Sequence, residues 1–137
     1  MEPTQKIRDM LDLFHDAAKL GDYDRYMGFF SHDAVFFGTD ASERWPMDRF
    51  RPYVKERFEA KDSWDYRPVE RNVYLSPDRR VAWFDERLLH KLGEARGTGV
   101  VLLEKDEWRI AQYNLQFPIP NKFFRPFLQI MKASAEE

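Results

Sequence analysis

An α+β fold is predicted by three features of the 137-residue sequence. Apolar residues recur at helical spacing through its first part. From Ser63 onward the period shifts toward two. The strand segments found there follow one another through short turns, the pattern of an antiparallel meander. Helices first and antiparallel strands afterwards is the order of an α+β domain. The length suits one domain, residues 1–137, around one core.

The first helix begins near Thr4, whose hydroxyl suits an N-cap. It places Ile7, Met10, Leu11, Phe14, Ala17 and Ala18 on one face before Gly21 stops it. Asp22 caps a short second helix with Tyr23, Tyr26, Met27 and Phe30 apolar, and Ser31, His32 and Asp33 turn out of it. Ala34 to Phe37 is a short strand stopped by Gly38, and Thr39 to Arg44 is a polar loop. Trp45 and Pro46 lead into a third helix with Met47, Phe50, Val54 and Phe58 on one face. Pro52 falls inside that pattern and removes a helical donor, so this helix starts late, near Asp48, or kinks.

Trp64, Tyr66, Val73, Tyr74 and Leu75 belong to a long bent strand interrupted at Pro68, and Ser76 to Arg79 form a turn. Val81 to Leu89 is the next strand, and Lys91 to Glu94 turn it into a hairpin running from Arg96 to Phe117. Pro118 and Pro120 end that hairpin. Asn121 caps a last short helix carrying Phe124, Phe127, Leu128 and Met131, and residues 133–137 form a frayed tail.

Composition excludes several classes. A net charge of −2, without long blocks of one sign, gives no electrostatic grip on nucleic acid. The absence of cysteine removes disulfides, thiolate catalysis and Cys-ligated metal. His15, His32 and His90 are scattered without metal-ligand spacing, and no phosphate loop, dinucleotide fingerprint or serine triad occurs. Neither metal nor cofactor is therefore expected. With no signal-like run and no apolar stretch of membrane-spanning length, the expectation is a cytoplasmic protein without a membrane partner. Aromatic residues make up 16% of the chain, a load that serves a core or lines a small-molecule cavity.

The hairpin carries the functional expectation. With a bulged turn at 104–107, Leu102 lies opposite Trp108, and Arg96, Thr98, Val100 and Leu102 share a face with Trp108, Ile110, Gln112 and Asn114. Without the bulge, Gly97 and Gly99 oppose the same polar residues and leave open space. Either register puts Gln112, Asn114 and Gln116 on the face of Trp108 and Ile110. There they form a polar pocket floor or reach solvent at the sheet margin.

Gly21-Asp22-Tyr23-Asp24, Phe30-Ser31-His32-Asp33-Ala34-Val35, Val81-Ala82-Trp83-Phe84-Asp85, and Arg96-Gly97-Thr98-Gly99-Val100 with Trp108-Arg109-Ile110-Ala111 resemble the SnoaL-like domains of the nuclear transport factor 2-like superfamily. The resemblance covers nearly the whole chain. It implies a cone in which a curved antiparallel sheet wraps the N-terminal helices around a cavity, homodimers paired through the sheet, and a C-terminal helix that closes the cone or extends the dimer contact. Such a fold hosts enzymes, binders and association modules alike. The ketosteroid isomerase-like members carry a base where this chain has Gly38 and a phenol where it has Phe14. The association domain of calcium/calmodulin-dependent kinase II, similar in the hairpin, carries histidines and a serine where this chain has Gln112, Asn114 and Gln116.

The expected ligand is a small, largely apolar molecule. The expected pocket residues are Arg96, Thr98, Gln112, Asn114, Trp108, Tyr23 and Trp45. One reading is cofactor-independent proton transfer of isomerase, dehydratase or cyclase type, with Asp40 as base and Arg96, Gln112 and Asn114 orienting the substrate. The other is a non-catalytic ligand-binding or association module, in which Asp40, Glu43 and Arg44 are solvated loop residues. Alternation allows only one of Asp85 and Glu86 to enter the cavity, and its expected partner across the sheet is Arg96.

Overall fold

The computed structural model describes residues 2–135. Helix α1 (Pro3–Leu20) is capped by the Glu2 carboxylate, which accepts from the Thr4 and Gln5 backbone N–H groups. The cap is thus two residues ahead of the expected one, because a carboxylate there reaches two orphan donors. Gly21 ends the helix at φ 67°. Helix α2 (Tyr23–Gly28) is capped by Asp22 as expected. It stops earlier than predicted, and strand β1 (Phe30–Phe37) absorbs Phe30 and the predicted turn at Ser31, His32 and Asp33. Strand β2 (Arg44–Pro46) runs directly into α3 (Met47–Glu59), which continues through Pro52.

The remaining strands are β3 (Arg67–Leu75), β4 (Val81–His90), β5 (Gly93–Glu104) and β6 (Glu107–Gln116). Trp64 and Tyr66 precede β3 rather than lying in it. The open six-stranded sheet has the order β2-β1-β6-β5-β4-β3. The meander β3 to β6 is antiparallel, whereas β1 lies parallel to β6. The sheet is therefore mixed, since the chain returns through α3 and the whole meander before its last strand reaches β1.

One side of the sheet packs on α1, α2 and α3. Ile7, Leu11, Phe14, Ala17, Phe50, Val54, Ala82, Leu88, Val101 and Ile110 are all 2% exposed or less, which places the core between these layers. After a 3₁₀ turn (Asn121–Phe123), α4 (Phe124–Ala135) contributes no buried residue. Its apolar stripe stays exposed, so it does not close the cone. The last two positions of the expected frayed tail lie outside the described residues.

The hairpin register differs from both expectations. Lys105 and Asp106 both take left-handed φ, 49° and 66°, and Glu104 pairs with Glu107 across a two-residue turn. Leu103, not Leu102, therefore opposes Trp108. The bulge lies further along, where Val101 pairs with Ile110 but Val100 pairs with Gln112, leaving Ala111 as the extra residue. A single extra residue reverses the alternation. Trp108 and Ile110 face the core, and beyond Ala111 it is Tyr113 and Leu115 that face inward, all four being buried. Gln112, Asn114 and Gln116 turn to the opposite face, which corrects the expected amide floor.

Gly97 and Gly99 sit opposite Leu115 and Tyr113 on the inward face. A Cβ at Gly99 would run into the Gln112 carbonyl oxygen and stand 2.7 Å from Phe84 Cζ. The space over these glycines is filled by aromatic rings, an ordinary reason for glycine in a strand. Gly99→Ala is expected to destabilise the fold by about 1–3 kcal/mol, measured by urea unfolding, because neither the backbone carbonyl nor the buried ring can yield cheaply.

Candidate functional site

Burial on β4 alternates, with Ala82, Phe84, Glu86 and Leu88 inward and Trp83, Arg87 and Leu89 exposed. Glu86 thereby carries a charge into the core and is 1% exposed. Such a carboxylate needs partners for its lone pairs. Arg71 Nε donates to Oε1 at 2.7 Å. The Tyr113 hydroxyl donates to Oε2 at 2.5 Å, and His15 Nε2 lies 2.6 Å from the same oxygen. Arg71 in turn reaches the Arg8 carbonyl and the Asp12 carboxylate through Nη1, tying β3 to α1. Gly97 leaves the necessary room, since a Cβ there would run into the Tyr113 hydroxyl and stand 3.0 Å from Glu86 Oε2.

These contacts settle the protonation pattern. Burial pushes the Glu86 carboxyl up, but the hydrogen bond and charge of His15, joined by the charge of Arg71 and the Tyr113 hydrogen bond, outweigh it and hold the group at about 2. Burial, reinforced by the Glu86 charge, raises Tyr113 well above its ordinary value, so the phenol stays a donor. An ionised carboxylate only accepts, so the His15 nitrogen facing it carries the proton. In neutral imidazole Nδ1 then holds the lone pair.

His15 and Tyr113 also line a cavity of ≈ 190 Å³. It is walled by Phe14, Tyr26, Phe36 and Phe50, and toward its mouth by Trp45, Tyr53, Trp64 and Tyr66 with Glu43 and Arg57. The rings hold one another in place: Phe14 stacks on Tyr26 at 4.7 Å, Phe36 on Phe50 at 4.6 Å and Trp45 on Tyr53 at 4.6 Å. Arg57 lies over the Trp64 ring at 5.0 Å, donates to the Tyr53 hydroxyl and pairs with Asp62.

Of the pocket residues expected from sequence, Trp45 lines this cavity. Arg96, Thr98, Gln112 and Asn114 lie on the other face of the sheet: the two-residue turn pairs Leu103 with Trp108 and so leaves Arg96 and Thr98 outward, and the Ala111 bulge turns Gln112 and Asn114 to the same side. Trp108 is buried and borders a different depression together with Met10 and Phe29, and Tyr23 borders a separate one beside Gly21. Asp40 is exposed, and its carboxylate is held low by bonds from the Ser42 hydroxyl and N–H. It borders a shallow depression with Asn114 and Gln116 rather than the aromatic cavity. Glu86, not Asp85, enters the interior, with Arg71 and His15 as partners instead of Arg96. The signal for Glu86 was its place in the alternation Ala82, Phe84, Glu86, Leu88. That for His15 was its place among Leu11, Phe14 and Ala18 on the inner face of α1.

Because the folded-state value of Glu86 lies below the ordinary value of 4.5, its contribution to stability is fully present above pH 4.5 and is lost as pH falls toward about 2. Acid titration of unfolding free energy should show a loss of roughly 3 kcal/mol across that window attributable to this group. Glu86→Gln is expected to remove this component while lowering stability at neutral pH by about 3–5 kcal/mol, since Arg71 is left buried and poorly paired.

Residues 7–120 match the SnoaL-like domain family. No curated protein matches the sequence. Among solved structures, an uncharacterised cystatin-like-fold protein from Caulobacter vibrioides is similar over 94% of this chain and 99% of its own, at TM-score 0.72 and 14% identity. An NTF2-like protein of unknown function from Pseudomonas putida aligns over 86% of this chain and 88% of its own, at TM-score 0.71 and 10% identity. A Novosphingobium aromaticivorans protein provisionally named a scytalone dehydratase aligns over 85% of this chain and 84% of its own, at TM-score 0.71 and 9% identity. At such identities the likeness to solved structures establishes the fold alone; by the match across most of its length the chain belongs to the SnoaL-like domain family.

Proposed function

We propose that the chain binds a small, largely apolar molecule in the aromatic cavity and transfers a proton on it without a cofactor, with His15 as the proton carrier. The observation behind this reading is His15 in the cavity wall, paired with the buried Glu86 behind it. Glu86 fixes which nitrogen is protonated and stabilises the imidazolium when Nδ1 accepts a proton. Tyr113 and Arg71 hold Glu86 ionised, so it acts on His15 as a positioning residue and does not itself carry the proton. The scytalone dehydratase name of one structural neighbour is consistent with proton-transfer chemistry on this fold.

A second copy is proposed to pair across the outer face of the sheet. Trp83 and Tyr74 stack there at 6.2 Å and are both 47% exposed, and Leu89 continues the apolar surface along β4. The exposed Phe124, Leu128 and Met131 of α4 would extend the contact.

Two measurements test these statements. His15→Gln is expected to keep the fold and ligand binding, followed by quenching of Trp45 and Trp64 fluorescence, while turnover falls by about 10²- to 10⁴-fold. Turnover unchanged in that variant sinks the proton-transfer reading. Light scattering is expected to give the mass of a dimer for the wild type and of a monomer for Trp83→Glu, and a monomeric wild type removes the pairing.

A further inference from the structure

A second depression, of ≈ 480 Å³, abuts the aromatic cavity. His15 and Tyr66 line both, so each serves as a wall between them. At ≈ 190 Å³ the aromatic cavity holds a group little larger than benzene, which occupies an engineered apolar cavity of roughly 150 Å³. It falls short of the roughly 300 Å³ at which small-molecule pockets begin. A ligand that also extends into the neighbouring depression brings the pair into that range. Tyr66 is a fixed partition between the two: its ring stacks on His90 at 4.6 Å, and Phe117 packs against both, at 6.3 and 5.7 Å.

The two spaces differ in chemistry. Rings line the first, whereas charged side chains from three segments dominate the second: Asp12, Asp16 and Lys19 of α1, Asp65 and Arg67 at the entry to β3, and Lys91 after β4. Two of the carboxylates already have partners. Asp12 accepts from Arg71 Nη1 at 2.8 Å, and Asp16 stands 4.0 Å from Arg25. Among the described residues Lys19, Arg67 and Lys91 form no ion pair, and of the three acids only Asp65 shares that condition. Three cations facing one carboxylate leave a surplus of positive charge.

Neutral donors stand beside these cations. The Leu92 N–H donates to His90 Nδ1 at 3.1 Å, so the neutral ring carries its proton on Nε2. Burial raises the Tyr66 phenol, which keeps its proton to donate. The planar fork of an arginine matches two oxygens of a carboxylate or phosphate, and lysines add point charges to the same group.

We infer that this depression is an anion subsite and that the ligand has two parts: an apolar group of about benzene's size in the aromatic cavity, joined past Tyr66 to a carboxylate or phosphate held by Lys19, Arg67 and Lys91. This rests on the aromatic cavity being the ligand site and is independent of proton transfer by His15. The arrangement also orients the ligand. An anion loses its hydration on entering a space walled by rings, so the apolar end goes in and the charged end stays among the cations.

The test compares 3-phenylpropanoate and 2-phenylethyl phosphate with the neutral 3-phenylpropan-1-ol, binding being read by quenching of Trp45 and Trp64 fluorescence. At low salt the anions are expected to bind about tenfold more tightly than the alcohol, the combined effect of three exposed charge pairs. That advantage is expected to vanish at about 1 M salt, where screening acts over roughly 3 Å. The tighter of the two anions identifies the charged group. Lys19 and Arg67 are both exposed, so the double variant Lys19→Gln, Arg67→Gln leaves the fold intact. It is expected to abolish the advantage while the alcohol binds as before. Anions that bind no better than the alcohol overturn the anion subsite and leave the aromatic cavity as the ligand site. An advantage that persists in the double variant overturns the assignment to these cations. If neither the alcohol nor the anions bind, the cavity reading falls and this inference with it.

Discussion

One buried carboxylate constrains more of this molecule than any other group. Glu86 is desolvated on the inner face of the sheet, where an isolated ion would cost several kcal/mol. It persists because donors from three other elements converge on it: Arg71 from β3, His15 from α1 and Tyr113 from β6. Each donor thereby becomes fixed, and each fixes something further. Arg71 links the sheet to α1 through Arg8 and Asp12, His15 acquires a defined tautomer, and Tyr113 needs Gly97 opposite its neighbour on the strand to leave its hydroxyl free to reach. A hydrophobic residue of similar volume would be the cheaper way to fill such a position. The retention of the charge therefore argues for a use, and the cavity that His15 and Tyr113 border supplies one.

Around that polar floor, the cavity is built from rings that hold one another in stacked and edge-on arrangements. Phe36 illustrates the economy of the layout, packing flat on Phe50 of α3 on one side and nearly parallel to Tyr113 of β6, 8° off, on the other. Rings with few rotatable bonds lose little entropy on ordering, so the cavity can stay open without the collapse that flexible aliphatic chains would allow. The Arg57 guanidinium, laid over Trp64 and pinned by Asp62, keeps a cation at the rim without burying an unpaired charge.

Much of the fold was legible because it follows from periodicity. Ile7, Leu11, Phe14 and Ala18 mark the inner face of α1, and the alternation of β4 marks which residues enter the core. The site was less legible, and the reasons are local. The amides of β6 were expected inside because strict alternation carries Trp108 and Ile110 forward to Gln112 and Asn114. A bulge at Ala111 leaves no mark in residue types, yet it exchanges those amides for Tyr113 and Leu115. His15 and Glu86 stand 71 positions apart in the chain and meet only through tertiary packing, so no local spacing joins them. What sequence did offer was a charge on an otherwise apolar face, Ala82, Phe84, Glu86, Leu88, and a histidine on another.

The bulge and the buried charge are two parts of one arrangement. Before Ala111, β6 must present Trp108 and Ile110 to the helices, because that end of the sheet is solid core. Beyond it, the strand must deliver a phenol to Glu86 from the neighbouring side of Gly97 and Gly99. Without the extra residue, β6 keeping its pairing at Ile110 would bring the side chains of Gln112 and Asn114 to that position, two amides in place of one phenol. Amides there would also need partners for both their donors and their acceptors, which a ring-lined wall supplies poorly. The phenol needs only one acceptor, and Glu86 is that acceptor. A single inserted residue thus converts a structural strand into one whose second half completes the ion network and closes the aromatic wall, which is why the expected floor and the observed one occupy opposite faces of the same strand.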